Sequence, residues 1–389
     1  MIKNSESYLM PTYGSRELEF LKGEGVYLFS SNNKKYLDFG SGIAVNSLGH
    51  CHPKIVEALN EQSNKLWHTS NLYSNKKQEE YAKILCQYSF ADKVFFTNSG
   101  AESIECGIKV IRSFHHHHKN FKKENIITFE GSFHGRTYAA LSAQQNKKYS
   151  EGFGKMLPGF INIPFNDIEA LKNTVNESTA AVLIETIQGE GGIRPTPLNF
   201  LKEIRKICNK SNSLMFLDEV QSGFGRSGKL FAYEWADLSP DIIAVAKGIG
   251  SGFPMGACLT SNDACIAMIK GSHGSTFGGN PLAVAVGKAV INEILSNNFL
   301  DNVDKIARYL WNKLKALEKK YDEIIEVRGA GLLLGIKTKN SNIQINKKFQ
   351  EKGLLTIPAS DNIIRLAPPL IITFDHVDEA IKKIEDALV

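Results

Sequence analysis

The stretch IIAVAKGIGSGFPMGACLTS, from Ile242 to Ser261, contains two apolar runs with the length of short buried strands. The glycine-rich segment between them is too short for a crossover helix, so the sheet that holds them is expected to be mixed. Lys247 is the only charged residue of the stretch. Such a lysine is either a surface residue whose stem lies on apolar ground, or a desolvated amine with a lowered pKa that serves as a nucleophile.

Five more strand-like runs precede this stretch, and helical patterns such as NFLKEIRKICNK lie between runs. Several runs are almost continuously apolar, as expected for strands with helices on both faces. This alternation predicts an α/β fold whose larger domain has three layers, α/β/α, around a mostly parallel seven-stranded sheet. The five runs are KVFFTNS from Lys93, NIITFEGS from Asn125, FINIPF from Phe160, AAVLIETIQ from Ala180 and SLMFLDEV from Ser213.

The flanking regions differ from this pattern and predict two further units. Residues 1–45 contain GVYLFSSNNKKYLDF, which indicates a β-hairpin, and this segment is expected to pack with the small domain. Residues 46–285 form the predicted large domain. Residues 286–389, with the runs IIEVRGAGLLLGIKT and IIRLAPPLIIT and an amphipathic helix from about Asp375, form a predicted smaller α+β domain.

Composition narrows the class of protein. The 389 residues are 42% hydrophobic and 22% charged, which is ordinary for a soluble globular protein, and a net charge of +5 does not indicate nucleic-acid binding. The six cysteines form no CxxC pair, the N-terminus lacks the apolar core of a signal peptide, and no apolar run could span a membrane. A cytoplasmic protein is expected.

The basic run HHHHKNFKK, His115–Lys123, is expected to be a solvated loop without a metal site, because no second ligand cluster accompanies it.

A glycine-rich segment, QSGFGRSGKL, offers a rival function. Gly223, Gly228 and Lys229 satisfy the G-x-x-x-x-G-K core of a phosphate-binding P-loop and would suggest an NTPase. The P-loop requires Ser or Thr at the next position to hold Mg²⁺, and this chain has Leu230 there. An ordinary glycine-rich turn is therefore the favoured interpretation.

A second glycine pattern, RGAGLLLG, resembles a dinucleotide-binding fingerprint through Gly329, Gly331 and Gly335. That fingerprint needs a strand, then the glycines, then the start of a helix. Here the glycines continue into leucines and an isoleucine, which predict more strand.

Residues that follow different strands suggest one shared site. Ligands of open α/β sheets bind at the carboxyl ends of the strands. Asp218 ends one run, Gly100–Ala101 open a helix after another, Phe133 follows a third, and Lys247 follows a fourth. Pyridoxal 5′-phosphate (PLP) needs a Schiff-base lysine, a carboxylate for its pyridinium nitrogen, a phosphate site such as a helix N-terminus, and an aromatic stacking partner.

Eight motifs in order resemble the class III, fold-type I PLP-dependent aminotransferases. They are YLDFGSGIAVNSLGHCHP, TNSGAESIE, SFHGRT, ETIQGEGG, FLDEVQSGFGRSGK, AVAKGIGSGFPMGA, GSTFGGNP and RLAPPL, and together they cover nearly the whole chain. The resemblance implies the fold-type I architecture, PLP as the cofactor, and a homodimer that shares its active sites across the interface.

The resemblance also assigns residues to the parts of the cofactor. These are Lys247 for the Schiff base, Asp218 for the pyridinium nitrogen, Gln221 for the ring hydroxyl, Gly100 and Ala101 for the phosphate, Phe133 for stacking on the ring, and Thr276 of the neighbouring subunit for the phosphate.

A further set is implied for the substrates. It comprises Arg136 for the α-carboxylate of the amine donor, Arg365 for the α-carboxylate of glutamate or 2-oxoglutarate, Glu190 as the partner that neutralises Arg365, Ser275 from the neighbouring subunit, and Tyr27 and Ile43 as determinants of substrate choice.

Within the family, the chain most resembles acetylornithine aminotransferases. The implied reaction is a ping-pong transamination of N2-acetyl-L-ornithine with 2-oxoglutarate, giving N-acetyl-L-glutamate 5-semialdehyde and L-glutamate, a step of arginine biosynthesis. The aliphatic Ile43 indicates this type, whereas Tyr27 matches a tyrosine of the ornithine enzymes. Ornithine, succinylornithine and succinyldiaminopimelate therefore stay open as alternative amine donors.

Overall fold

The computed structural model describes residues 8–14 and 17–389 of the chain. Its first sheet begins with β1 (Phe20–Glu24), β2 (Tyr27–Ser30) and β3 (Lys35–Asp38), each antiparallel to the next. The strand β15 (Leu354–Leu355), from near the end of the chain, extends this sheet by pairing in parallel with β3. The N-terminal strands therefore pack with the C-terminal part of the chain.

The central sheet contains the seven strands that the apolar runs predict. In space their order is β4-β12-β11-β10-β7-β5-β6. The strand β12 runs antiparallel to both of its neighbours, and the other pairs are parallel. The expected mixed, mostly parallel sheet is confirmed. The strands are β4 (Lys93–Thr97), β5 (Asn125–Phe129), β6 (Phe160–Ile163), β7 (Thr179–Glu185), β10 (Leu214–Asp218), β11 (Ile242–Val245) and β12 (Gly256–Thr260).

Helices cover both faces of this sheet. In the described residues the helices of the whole chain are α1 (Ser41–Ala44), α2 (Pro53–Ser63), α3 (Lys76–Gln87), α4 (Gly100–His117), α5 (Tyr138–Gln144), α6 (Lys147–Ser150), α7 (Ile168–Thr174), α8 (Leu198–Ser211), α9 (Pro281–Ile294), α10 (Phe299–Lys320), α11 (Asn342–Glu351) and α12 (Phe374–Leu388). Of these, α10, α11 and α12 belong instead to the C-terminal part.

Successive strand residues point to opposite layers, as the pleat of a sheet requires. Phe216 and Ala244 belong to the apolar cluster on the side of α4 and α5. Leu217 and Val245, one position further along, belong to the cluster on the side of α3, α8 and α9. Gly107 of α4 lies so close to the Phe216 ring that a Cβ atom would collide with it. The strands are thus covered on both faces, which explains their continuous apolar runs.

The C-terminal part forms a second antiparallel sheet in the order β13-β14-β17-β16. Its strands are β13 (Ile324–Ala330), β14 (Leu333–Thr338), β16 (Ile357–Ala359) and β17 (Ile363–Leu366). The residues after the glycines of RGAGLLLG form the strand β14, as predicted. Gly331, with φ of +57°, lies at the turn between β13 and β14, so the pattern is a β-hairpin and not a dinucleotide-binding turn. Helices α10 and α12 pack together, and Leu314 and Ile384 belong to the apolar cluster of this part.

The helix α9 bears on where the large unit ends. It runs unbroken from Pro281 to Ile294, and Val290, Ile291 and Ile294 lie in the apolar cluster of the central sheet. The predicted boundary at residue 285 falls inside this helix. A boundary after α9 accords better with the packing.

The segment QSGFGRSGKL connects the two sheets and lacks the geometry of a P-loop. A short 3₁₀ turn, Ala232–Ala236, follows it in place of the helix that a P-loop requires. The buried Arg226 donates from Nη1 to the carbonyls of Leu332 and Pro368, which belong to the C-terminal part. Burial lowers the pKa of Arg226 to about 9. The segment therefore serves as a structural contact between the two parts.

The first three residues of the run His115–Lys123 differ from the expected solvated loop, whereas residues 118–123 form a mostly exposed loop as predicted. His115–His117 form the last turn of α4, where basic residues interact favourably with the helix dipole. His115 is buried with Nε2 2.8 Å from the carbonyl of Ala180, whereas His116 and His117 are exposed. Within the described ranges, no group of three or more His, Cys, Asp or Glu side chains is arranged to hold a metal ion, and no helix is long and apolar enough to cross a membrane.

Candidate active site

Three adjacent parallel strands end at the same edge of the central sheet. Asp218, the last residue of β10, lies beside Glu185, the last residue of β7, and beside Ala244 of β11. Lys247 follows two residues after the end of β11. Asp218, Glu185 and Lys247 line a cavity of about 350 Å³, so the predicted convergence at the carboxyl ends of the strands is observed.

Lys247 lies at the start of a 3₁₀ turn, Lys247–Ile249, with φ of +48°. This conformation is uncommon for a residue other than glycine and is found where the surrounding structure fixes it, often at functional sites. Burial, together with the positive charge of Arg365, lowers the pKa of Lys247 to about 8 against the opposing effect of the nearby carboxylates. The lysine is a desolvated amine and not a surface residue.

Asp218 is held in place by two contacts. One carboxylate oxygen lies 2.8 Å from Nδ1 of His134, and the other accepts a hydrogen bond from the Val220 amide at 3.0 Å. Nε2 of His134 is buried and has no hydrogen-bond partner among the described residues. Asp218 is buried apart from its contact with the cavity, so it presents a fixed negative charge there.

The N-terminus of α4 forms another wall of the cavity. The Ser99 side chain caps this helix by accepting from the Glu102 amide. The amides of Gly100 and Ala101 have no acceptor among the described residues, and both residues line the cavity. A Cβ atom on Gly100 would lie 2.7 Å from Val220, so only glycine permits this close approach. Free amides at the positive end of an 18-residue helix suit a phosphate group.

Aromatic rings and an arginine lie at the rim of the cavity. Phe133 lines the cavity and packs edge-on against Tyr149, with ring centroids 5.8 Å apart. The exposed guanidinium of Arg136 lies 3.9 Å from the Tyr149 ring centroid and 5.4 Å from that of Phe133. Arg136 is thus oriented by stacking, while its donors stay accessible to a carboxylate from solvent.

Arg365 lies in β17 of the second sheet, and its guanidinium joins the candidate active site from that side. Nη1 donates to Oε1 of Glu190 at 2.7 Å and to Oε1 of Gln221 at 2.9 Å. Only 1% of the Arg365 side chain is exposed, compared with 26% for Glu190. Glu190 lies between the short paired strands β8 (Ile187–Gln188) and β9 (Arg194–Pro195), in the segment Gly189–Ile193. The carboxylate therefore covers the guanidinium on its solvent side.

Tyr27 and Ile43, like Arg136, Glu190 and Arg365, lie outside the lining of the cavity. Tyr27 donates its hydroxyl to Glu379 of α12 at 2.8 Å, and its ring contacts the amine of Lys35, so its role in substrate choice stays a prediction. Ile43 is 42% exposed and adopts φ of +66°, which a β-branched residue rarely does. Val45, two residues further on, lines the cavity.

The two residues predicted to act in the neighbouring subunit also lie outside the lining. Ser275 accepts at Oγ from the Asn98 side chain at 3.3 Å and from the Gly278 amide at 2.9 Å. Thr276 and Phe277 are exposed on the surface beside it. This position leaves Thr276 accessible to a second chain.

Two residues of the site were not predicted: His134, which contacts Asp218, and Glu185. The Glu185 carboxylate accepts from the amides of Phe133 at 2.8 Å and Gly189 at 3.0 Å. Burial, together with the charge of Asp218, raises the pKa of Glu185 to about 7 against the opposing effects of His134 and of the two backbone amides. A charged residue directly after a buried apolar run is a signal that Glu185 shares with Asp218, and it could have found this residue.

The donor set fits PLP. The free amides at the start of α4 suit its phosphate, the fixed Asp218 carboxylate suits a protonated ring nitrogen, and the Phe133 ring suits stacking on a flat heterocycle. The amine of Lys247 lies in the same cavity, where a carbonyl carbon could meet it.

Comparison with known proteins agrees with this fit. The model of the family "Aminotransferase class-III" matches residues 11–388. The acetylornithine aminotransferase of Agrobacterium fabrum is 50% identical over 380 residues, which cover 97% of this chain and 95% of that protein. The solved ornithine aminotransferase of Toxoplasma gondii superposes with a TM-score of 0.94 at 30% identity, covering 98% of this chain and 92% of that one. The acetylornithine aminotransferase structure from Elizabethkingia anophelis superposes with a TM-score of 0.87 at 36% identity, covering 98% of this chain and 96% of that one.

Proposed function

The chain belongs to the class III aminotransferases, which depend on PLP, and on this premise we propose that it transfers the side-chain amino group of N2-acetyl-L-ornithine to 2-oxoglutarate. The products are N-acetyl-L-glutamate 5-semialdehyde and L-glutamate, as in arginine biosynthesis. Relatives at about 50% identity over nearly the whole chain carry the acetylornithine aminotransferase name. The observation that carries the proposal is the Arg365–Glu190 pair beside Lys247, because two different substrates must alternate in one site.

PLP supplies an electron-accepting ring that stabilises negative charge on the substrate carbon next to nitrogen. Gly100 and Ala101 would hold the phosphate through their amides, and Phe133 would stack on the ring. Asp218, held in place by His134, would pair with the ring nitrogen and keep it protonated.

Lys247 is the proton-transfer residue. Its lowered pKa leaves part of its population uncharged near neutral pH, so that Nζ can take a proton from the substrate carbon that carries the amino group. Gln221, which lines the cavity and accepts from Arg365, would bond the ring hydroxyl.

The two arginines distinguish the substrates. Arg136 at the rim binds the α-carboxylate of N-acetylornithine, whose reacting amine lies at the other end of the molecule. Glu190 then covers Arg365, because this substrate places no carboxylate there. For glutamate or 2-oxoglutarate, Glu190 moves aside and Arg365 binds the α-carboxylate as a bidentate clamp. Ile43 leaves room for the acetylated substrate near the mouth of the cavity.

The active enzyme is a cytoplasmic homodimer. Thr276, with Ser275, reaches the phosphate in the site of the neighbouring subunit. The exposure of Thr276 and Phe277, together with the exposed apolar Trp67 and Leu72, supports this arrangement, because such side chains are commonly covered by a partner.

Single-turnover spectra of the holoenzyme with separate amines test the proposal. N-acetylornithine and glutamate should each convert the cofactor to its amine form, and 2-oxoglutarate should restore the original spectrum. Ornithine, succinylornithine and succinyldiaminopimelate should react with a lower ratio of rate to half-saturating concentration. A clear preference for one of these three would reassign the amine donor, and no conversion by any amine would overturn the proposal.

A further inference from the structure

Glu185 touches both halves of the candidate active site through backbone contacts. One oxygen accepts from the amide of Phe133, the residue at the ring position, and the other accepts from the amide of Gly189, which directly precedes Glu190. Its side chain lines the cavity, and only 5% of the residue is exposed. One buried carboxylate therefore joins the segment that contacts the cofactor to the segment that carries Glu190.

The Gly189 peptide is further confined by its neighbours. A Cβ atom on Gly189 would collide with the Gln221 side chain, whose Oε1 accepts from Arg365. On the other side, the Glu190 carbonyl accepts from the Ser360 amide at 3.1 Å. The backbone that carries the Glu190 side chain is therefore held by two contacts. Glu185 accepts from the Gly189 amide, and the Ser360 amide, next to the second sheet, donates to the Glu190 carbonyl.

We propose that Glu185 is a positioning residue that holds the Gly189–Glu190 backbone ready to cover Arg365, and so sets how the enzyme divides its affinity between the two substrates. The inference rests on the proposed function, because it takes Glu190 and Arg365 as the substrate switch. Without the Gly189 contact, Glu190 samples more positions and covers Arg365 for a smaller fraction of the time. Glutamate or 2-oxoglutarate then competes more easily for Arg365. N-acetylornithine, in contrast, binds beside an arginine whose charge is not neutralised, and its affinity falls.

The measured quantity is the ratio of the glutamate half-reaction to the N-acetylornithine half-reaction, each as maximal rate over half-saturating concentration. The Glu185→Gln variant keeps the shape of the side chain but replaces one carboxylate oxygen by an NH₂ group. That group is itself a donor, so one of the two hydrogen bonds from the Phe133 and Gly189 amides is lost. At pH 8, where the wild-type carboxyl is largely ionised, the ratio is expected to rise about tenfold, the size of one lost hydrogen bond to a charged group.

A double variant separates positioning from general damage. Glu190→Gln alone should also raise the ratio, because it weakens the cover of Arg365. If Glu185 acts through Glu190, adding Glu185→Gln to Glu190→Gln should change the ratio less than about twofold, since coupled residues are not additive. An equal tenfold rise in both backgrounds would overturn the proposal.

Glu219→Gln is the matched control. Glu219 is also a buried carboxylate that accepts from two backbone amides, those of Ala232 and Tyr233 at 2.7 and 2.8 Å, but it does not line the cavity. This variant should leave the ratio unchanged. A ratio that shifts equally in the control would show that Glu185 is merely structural.

Glu185→Asp covers the case in which Glu185→Gln does not fold. The shorter carboxylate cannot reach both amides, so a smaller rise in the same ratio is expected, together with a weaker circular dichroism band of the bound cofactor. A folded variant with an unchanged ratio would contradict the proposal. Failure of the proposed function is a separate result: wild-type enzyme would not react with N-acetylornithine, and the ratio would then be taken with the amine that it accepts.

Discussion

Arg365, in β17, and Glu190, in the segment between β8 and β9, form a partly buried ion pair and lie 175 positions apart in the chain. Nη1 of the arginine lies 2.7 Å from the carboxylate, and 1% of the arginine side chain is exposed. A buried guanidinium needs such a partner, because an uncompensated charge in this place is costly. The pair thus leaves two ways to satisfy Arg365: the enzyme's own carboxylate or that of a substrate.

Replacing Arg365 by Ala should separate the two half-reactions. The glutamate half-reaction should lose at least about 10²-fold in rate over half-saturating concentration, because the carboxylate clamp is gone. The N-acetylornithine half-reaction should fall less than about tenfold, since that substrate does not use this arginine. Rapid-mixing spectra with each substrate measure both values. Equal losses in the two half-reactions would show that Arg365 is not a switch.

The pKa of Lys247 makes a prediction about the apoprotein. Since its folded pKa, about 8, lies below its ordinary value near 10.5, the unfolded chain binds more protons between these values, and wild-type stability should rise with pH across this window. A Lys247→Met variant lacks the buried amine and should be more stable at pH 7, by about 1–3 kcal/mol. Urea unfolding of both apoproteins at pH 7 and pH 9.5 measures this gap. If the difference in unfolding free energy between the two proteins does not narrow at pH 9.5, the conclusion that Lys247 is a desolvated amine is contradicted.

The shared site of the proposed dimer can be tested by mixing two inactive variants. Lys247→Ala removes the lysine from its own subunit, and Thr276→Asp places a negative charge against the phosphate in the neighbouring one. After subunit exchange, a hybrid dimer regains one intact site, so the mixture should recover about a quarter of wild-type activity. Each variant alone serves as the control. No recovery in a mixture shown to contain hybrids would mean that Thr276 acts within its own chain or not at all.

The left-handed conformation of Ile43 predicts an unusual response to glycine. Ile43→Gly relieves the strain of a β-branched residue at φ of +66°, so the free energy of unfolding should change by less than about 1 kcal/mol in spite of the lost side chain. Val45→Gly, at an ordinary φ of −91°, should cost more than about 1 kcal/mol. Chemical denaturation measures the free energy of unfolding of both variants.

In Ile43→Gly, the preference for N-acetylornithine over ornithine should also fall. An unchanged preference would remove Ile43 from the set of residues that contact the substrate.

Much of the fold could be predicted because the central strands are covered on both faces. Burial on both sides makes a strand such as β7 almost continuously apolar, so its residues identify it without any partner. The chemistry at strand ends was predictable for the same reason. Asp218 and Lys247 are charged residues directly beside apolar runs, and a parallel sheet brings such ends together.

Other features depend on contacts that the chain order does not reveal. The Tyr27 hydroxyl donates to Glu379, 352 positions away, a contact that the sequence does not indicate. His134 and Glu185 gain their roles from neighbours on other strands. Ile43 has a residue type that normally avoids a positive φ, and only the surrounding fold imposes it.

The most direct test concerns Lys247. Holoenzyme purified with PLP should be yellow, and borohydride should bleach it and leave the cofactor covalently attached to a single peptide. Mass mapping should place that label on Lys247, and the Lys247→Ala variant should bind the cofactor without becoming labelled. Label on a different lysine, or a colourless wild-type protein that takes up no cofactor, would contradict the assignment of the active site.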